Sequence, residues 1–98
     1  MIPFEIIEKY NHSVKSYNSE TFLFQEGEGA NHYFQIVSGQ VKMLNINNDG
    51  KEFIQGIFSE GQSFGEPPLF LNEPYPASAR TITATKVFKI HKIEFFSL

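Results

Sequence analysis

The chain has 98 residues, 41% of them hydrophobic and 15% aromatic, and eight basic against eleven acidic side chains leave a formal net charge of −3 at pH 7. This length predicts one domain with one modest core, and the composition is too apolar for a disordered chain. The acidic balance argues against direct binding to nucleic acid, and the absence of cysteine excludes disulfides and thiolate metal sites. With no signal-peptide pattern and no apolar stretch of membrane-spanning length, we expect a cytoplasmic protein without membrane contact.

The first half of the chain predicts one short helix followed by strands. A helix is expected over residues 3–10, because Pro3 suits a first helical turn and apolar residues follow at helical spacing. Residues 11–20 are polar and are expected to be irregular or to form a weak strand. Aromatic and β-branched residues then predict strands at residues 21–25, 33–37 and 40–46.

Glycine and proline mark the turns and helix starts in the second half of the chain. Asn48-Asp49-Gly50 predicts a hairpin turn, because Asp and Gly accept the positive φ that a tight hairpin needs. Two consecutive prolines can open a helix but cannot continue one, so residues 67–71 are expected to form one short helical turn. Further strands are expected at residues 52–58, 80–85 and 86–90, and a helix is expected to begin at residue 92. About seven or eight short strands at regular spacing predict a barrel, a roll or a sandwich.

The ordered series of glycines and aromatic residues resembles one known family. The segments that carry the resemblance are residues 24–28, 33–41, 49–52 and 60–66, the last ending in Phe64-Gly65-Glu66. Over residues 14–98 the chain resembles the cyclic nucleotide-binding domain of catabolite-activator (Crp/Fnr-type) bacterial transcription regulators. The resemblance implies a mainly β fold, a double-stranded β-helix (jelly-roll-like β-roll) with a short N-terminal helix, a short cassette helix and the start of a C-terminal helix.

The resemblance also implies a ligand site. In the family, a short helix and its flanking turns form a phosphate-binding cassette that reads Gly-Glu-x-Ala-Leu and then Arg-x-Ala. The Glu accepts a hydrogen bond from the ribose hydroxyl, while the amides at the helix start and the Arg hold the cyclic phosphate. On this chain the implied ligand-binding residues are Phe64, Gly65, Glu66, Pro67, Pro68, Leu69, Tyr75, Pro76 and Ala77, with Gln55 on the matching wall of the pocket.

The cassette departs from the family pattern at its phosphate end. Pro68 stands at the alanine position, where it has no amide hydrogen to offer, and Pro76 follows Tyr75, which stands at the arginine position. Arg80, the only arginine, lies five residues beyond, where strand alternation points it to the other face. Because a buried phosphate without a cationic partner is costly, we expect that cyclic AMP and cyclic GMP do not bind in the usual way, and that another small effector is the alternative ligand.

Each candidate also has a purely structural interpretation. Glu66 either accepts a hydrogen bond from a ligand or caps the helical turn that follows it. Tyr75 either lines the pocket or packs in the core beside Phe70. Gln55 either lines the pocket or is a polar residue at a strand edge.

Three functions are compatible with these features. The first is the effector-sensing domain of a Crp/Fnr-type regulator, in which a ligand shifts the position of the cassette and of the helix that follows. For this function we expect residues 1–98 to be the sensor domain alone, without the lid and dimerisation helix or the helix-turn-helix of the family. The second is a degenerate roll that acts as a protein-interaction or homodimerisation module through the apolar tail at residues 93–96.

The third is an enzyme of the cupin type, which would need histidines clustered with a carboxylate. His12, His32 and His91 are far apart in sequence, without metal-ligand spacing, and are expected on the surface. We therefore predict no catalytic residue and no metal site.

Overall fold

The fold is a roll of two antiparallel sheets. The computed structural model describes residues 2–98. Its elements in chain order are α1 (Phe4–Lys9), a 3₁₀ turn (Asn11–Ser13), β1 (Val14–Tyr17), β2 (Phe22–Phe24), β3 (His32–Ser38), β4 (Val41–Ile46), β5 (Glu52–Phe58), β6 (Ser63–Phe64), α2 (Glu66–Leu71), β7 (Ser78–Thr81), β8 (Thr85–His91) and α3 (Lys92–Phe96). One sheet has the strand order β1-β8-β3-β6 and the other β2-β7-β4-β5. The mainly β roll with three short helices is confirmed.

The core lies between the two sheets and consists of aromatic and branched side chains. Its largest fully buried members are Tyr33, Phe88, Ile36, Leu44, Val41 and Val87. Ile7 of α1 and Leu69 of α2 are also buried in this cluster, so both helices are held by packing against the sheets. Burial of one such side chain stabilises the fold by roughly 1.5–3 kcal/mol.

Gln35 fastens the beginning of the chain to this core. Its Oε1 accepts hydrogen bonds from the Ile2 amide at 2.9 Å and from the Tyr33 hydroxyl at 2.7 Å, while its Nε2 donates to the Ile2 carbonyl at 3.0 Å. The side-chain amide of Gln35 therefore pairs with both backbone groups of Ile2, as the backbone of a neighbouring strand would. Gln35 itself is buried, and these bonds satisfy its polar atoms.

The seventh strand lies earlier in the chain than the sequence predicted. A strand over residues 80–85 is wrong, since β7 ends at Thr81 and residues 82–84 bend. The bend is needed because the chain crosses here from one sheet to the other. It is held by the Ile82 amide, which donates to the Gln40 carbonyl at 2.8 Å, and by the Thr85 hydroxyl, which donates to the Thr83 carbonyl at 2.7 Å.

β4 and β5 pair around a β-bulge. Met43 lies opposite Gly56 and Leu44 lies opposite Ile54, so Gln55 is the extra residue on β5. β4 itself stays regular, since it pairs with β7 without a register shift, and each of its two sides carries one fully buried residue, Val41 and Leu44. β5 forms one edge of its sheet and is largely exposed.

The remaining differences from the predicted elements are small. Residues 11–20, expected to be irregular or a weak strand, contain the 3₁₀ turn and β1. The two-residue strand β6 was not predicted, and α2 begins one residue earlier than expected. No helix between residues 2 and 98 is both long and apolar enough to cross a membrane.

Candidate functional site

The cassette helix α2 begins with two prolines in its first turn. Gly65 is the N-cap residue, with φ 74° and ψ 20°, and Glu66 is the first helical residue, followed by Pro67 and Pro68. The first turn of a helix normally offers its free amides to an anion. Here two of those positions have no amide hydrogen, so the helix start is a weak anion site.

Glu66 places its carboxylate beside the start of α2. The Ser63 hydroxyl donates a hydrogen bond to Glu66 Oε1 at 2.6 Å, and the side chain is half-buried. No side chain caps the helix at Gly65. The carboxylate therefore lies where the sequence predicts a ligand acceptor, and β6 holds it there.

Two adjoining concavities form one groove between α2, β4 and β5. The first has a volume of about 280 Å³ and is lined by Met43, Phe58, Ser63, Phe64, Gly65, Glu66, Pro67, Pro68 and Pro76. The second has a volume of about 380 Å³ and is lined by Met43, Asn45, Gln55, Gly56, Phe58, Pro76 and Ala77. The lining is mainly apolar, and its one charged side chain is Glu66. The groove therefore offers a phosphate no positive partner.

A hydrogen-bonded chain connects β5 to the exit of the cassette. Gln55 Nε2 donates to Asn45 Oδ1 at 2.8 Å, and Asn45 Nδ2 donates to the Pro76 carbonyl at 2.8 Å. Gln55 lies at the groove, as the sequence predicts, and it is also the bulged residue of an edge strand. Asn45 was missed as a lining residue, although its place two residues after Met43 on β4 puts both side chains on the groove side of the strand.

Tyr75 lies outside the groove. Only 3% of its surface is exposed, and its ring stacks on Phe24 with 3.6 Å between centroids and 7° between planes. Burial, together with the Glu28 carboxylate, raises the pKa of Tyr75 to about 12. The structure thus brings eight of the ten candidate residues to the groove. The other two, Tyr75 and Leu69, are buried in the core, where Tyr75 packs against Phe24.

Arg80 points away from the groove, as strand alternation predicts. Its Nη2 lies 2.7 Å from both carboxylate oxygens of Glu52, and its Nε lies 3.4 Å from Glu20 Oε2. The guanidinium also lies over the Phe22 ring, 5.3 Å from the centroid. The only arginine is therefore committed to holding β2, β7 and β5 together.

The histidines come closer than their sequence spacing suggests. His32 and His91 are opposite each other on β3 and β8, with ring centroids 5.5 Å apart. His32 is half-buried rather than on the surface, and burial, with Lys89 and His91, lowers its pKa. Within residues 2–98, no three His, Asp or Glu side chains form a group that could hold a metal ion.

Comparison with known proteins agrees with this fold. The family described as cyclic nucleotide-binding domain matches residues 14–98. The chain belongs to this family. The domain is homologous to Crp/Fnr-type transcription regulators, which confirms the resemblance seen in the sequence.

Two curated relatives and one solved structure illustrate the similarity. The domain is 30% identical over 90 residues to the anaerobic regulatory protein of Bacillus subtilis, covering 91% of this chain and 37% of that protein. It is 33% identical over 86 residues to the cAMP-activated global transcriptional regulator CRP of Salmonella typhimurium, covering 87% of this chain and 41% of that protein. A putative cAMP-binding regulatory protein from Silicibacter pomeroyi superposes with a TM-score of 0.81 at 30% identity, covering 98% of this chain and 45% of that one. The chain thus spans less than half the length of each.

Proposed function

We propose that this domain senses a small effector without a phosphate, bound in the groove beside α2, as the sensor part of a Crp/Fnr-type transcription regulator. One observation carries the proposal: the groove occupies the cassette position, yet it has no cationic side chain and two prolines replace helix-start amides. The mainly apolar lining suits an uncharged ligand, and Glu66 and Gln55 supply polar contacts that would orient it.

The effector would act by shifting the position of α2. Phe70, on α2, contacts Phe95 and Phe96 of α3, with ring centroids 6.0 and 5.8 Å apart. A ligand that binds one position of α2 more tightly than another would therefore also shift α3. In a regulator, such a shift would pass to whatever follows the sensor.

Adenosine and cyclic AMP provide the sharpest test, because both carry adenine and ribose but only cyclic AMP carries the phosphate. We expect adenosine to bind at least as tightly as cyclic AMP, measured by calorimetry and by NMR shifts at the Gly56 and Gly65 amides. A ligand at a hundred times its dissociation constant should raise stability by roughly 2.7 kcal/mol, which a thermal shift detects. If cyclic AMP binds ten times more tightly than adenosine, the phosphate is recognised and the proposal is wrong.

A matched pair of variants adds a control to this titration. Pro68→Ala returns an amide to the start of α2, and Pro74→Ala adds one outside the groove. We expect only the first to improve binding of cyclic AMP. Equal effects would show that the missing amide is not what limits phosphate binding.

A second candidate function, homodimerisation, has an observation of its own. Phe70 and Phe96 are each 56% exposed and Ile93 is 69% exposed, and together they form an apolar patch across α2 and α3. Such a patch marks interaction surfaces. Light scattering over a range of concentrations tests this function, and a monomer throughout would exclude it.

We also infer that the domain works in the bacterial cytoplasm, with no catalysis of its own and no direct contact with nucleic acid. The support for this inference is that the named relatives are transcription regulators. A regulator of transcription acts on cytoplasmic DNA through a separate DNA-reading part.

A further inference from the structure

The groove beside α2 has polar side chains in both of its parts. Asn45 and Gln55 line the concavity against β4 and β5, and Ser63 and Glu66 line the concavity at the start of α2. The protein already uses some of the hydrogen-bonding groups of these four side chains. The groups that it leaves free indicate the chemical class of ligand that the groove can bind.

Most of the side-chain donors of the groove are already used within the protein. Asn45 Nδ2 donates to Glu26 Oε1 and to the Pro76 carbonyl, both at 2.8 Å, so neither of its two hydrogens is left for a ligand. The Ser63 hydroxyl donates its one hydrogen to Glu66 Oε1 at 2.6 Å.

The groups that remain free are mostly acceptors. Within residues 2–98, Glu66 Oε2 and Gln55 Oε1 accept no side-chain hydrogen bond, and Asn45 Oδ1 accepts one, from Gln55 Nε2. Gln55 keeps one N–H, and Pro67 and Pro68 add no amide hydrogen at the helix start. A ligand whose polar groups donate therefore finds partners here, whereas a ligand that carries only acceptors leaves its own polar groups unpaired.

The walls between these polar groups are aromatic and apolar. The rings of Phe58 and Phe64 have centroids 6.1 Å apart and planes tilted by 39°. Met43 and the rings of Pro68 and Pro76 lie on the same walls. An aromatic ligand gains more from such rings than from burial alone, and the thioether of Met43 adds a favourable contact with a ring.

We infer that the effector is an uncharged aromatic molecule that carries hydrogen-bond donors, such as hydroxyl or ring N–H groups. This inference rests on the proposed function, because it names the ligand class of the same groove. One donor of the ligand meets the Glu66 carboxylate, and its ring lies against Phe58 and Phe64. A protonated amine also donates, but it must lose far more hydration to enter an apolar groove whose one counter-charge is the half-buried carboxylate of Glu66.

Phenol and anisole test the inference, because they share a ring and only phenol has a hydrogen to donate. Both are titrated into the ¹⁵N-labelled chain and followed by NMR at the amides of Gly56, Gly65 and Ala77. Anisole is the more apolar compound, so burial alone would favour it. We expect phenol to bind at least about ten times more tightly, the usual effect of one hydrogen bond to a charged acceptor.

A matched pair of variants assigns the contact. Glu66→Gln keeps the shape of the side chain and its acceptor for Ser63, but replaces the carboxylate by an amide that is neutral and can also donate. The preference for phenol should fall to roughly threefold or less, because a neutral hydrogen bond is weaker than a charge-assisted one. Glu73→Gln removes the same charge from an exposed residue just after α2 that does not line the groove, and it should keep the full preference.

The possible failures separate this inference from the proposed function. Equal binding of phenol and anisole would overturn the inference alone, since the groove would still bind a small molecule. Benzylamine, which is protonated at neutral pH, would also overturn it by binding about ten times more tightly than phenol. An unchanged preference in a folded Glu66→Gln variant would contradict the contact with Glu66. No shift of the groove amides with any of these compounds, or with adenosine, would overturn the proposed function and the inference together.

Discussion

Replacement of Gly65 by alanine should destabilise the fold strongly, for two separable reasons. The backbone at Gly65 is left-handed, with φ 74°, and this conformation costs a non-glycine residue roughly 1–2 kcal/mol. A Cβ would also lie 3.1 Å from Phe24 Cζ and 3.1 Å from Tyr75 Cε1. These rings are buried and stacked on each other, so they cannot yield easily, and overpacking of this kind adds roughly 1–3 kcal/mol.

Together the two effects predict a loss of about 2–5 kcal/mol from a domain whose total stability is of the order of 5–15 kcal/mol. The midpoint of thermal unfolding should fall by at least about 8 °C for a chain of this length. Urea denaturation should give the same loss with an unchanged m-value.

Gly61→Ala is the matched control for this prediction. Gly61 also has a positive φ, 85°, but a Cβ there would meet nothing within 4 Å. It should therefore lose only the conformational part, about 1–2 kcal/mol. Equal losses in the two variants would refute the inference that the rings beneath Gly65 restrict the cassette.

Three further predictions concern other parts of the fold. Gln35→Leu removes the partners of Ile2 and should cost about 1–3 kcal/mol, with faster hydrogen exchange at the Ile2 amide; normal protection there would contradict the role of this side chain. Hydrogen bonds from Arg80 lower the pKa of the Glu52 carboxyl. The stability that Glu52 contributes is therefore present above its ordinary pKa of 4.5 and is lost as the pH falls below that value. The acid unfolding curve of Glu52→Gln should lack that loss. Burial lowers the pKa of His32, so on acidification His32 takes up its proton in the unfolded chain before it does so in the folded one. The free energy of unfolding therefore declines as the pH falls below 6.5. His32→Asn should flatten this decline, and an identical pH profile would show that another group titrates.

Much of the fold follows from local patterns in the sequence. The aromatic runs became β3 and β5, and the double proline opened α2. The error at residues 80–85 arose because strand propensity records the preference of each residue but not the place where a chain must change sheets. The bulge at Gln55 was invisible for a similar reason: it is a property of a pair of strands rather than of one.

The candidate site could likewise be predicted from the sequence only in part. Residues next to each other in sequence, such as Glu66 and Pro68, could be placed at the cassette because one helix carries them. The position of Tyr75 could not be predicted, because whether it lies in the groove or in the core depends on Phe24, fifty-one residues earlier, and on the close approach of Gly65.

The bulge on β5 has a consequence for behaviour at high protein concentration. β5 is a free edge with three exposed apolar side chains, Phe53, Ile54 and Ile57, and an edge of this kind invites pairing with another molecule and growth into aggregates. The extra residue at Gln55 breaks the regular spacing of backbone donors and acceptors along that edge, so an incoming strand can match only the part on one side of the bulge. Removing Gln55 would restore a continuous edge and with it the tendency to aggregate, so the irregularity that shapes the groove also keeps the molecules apart.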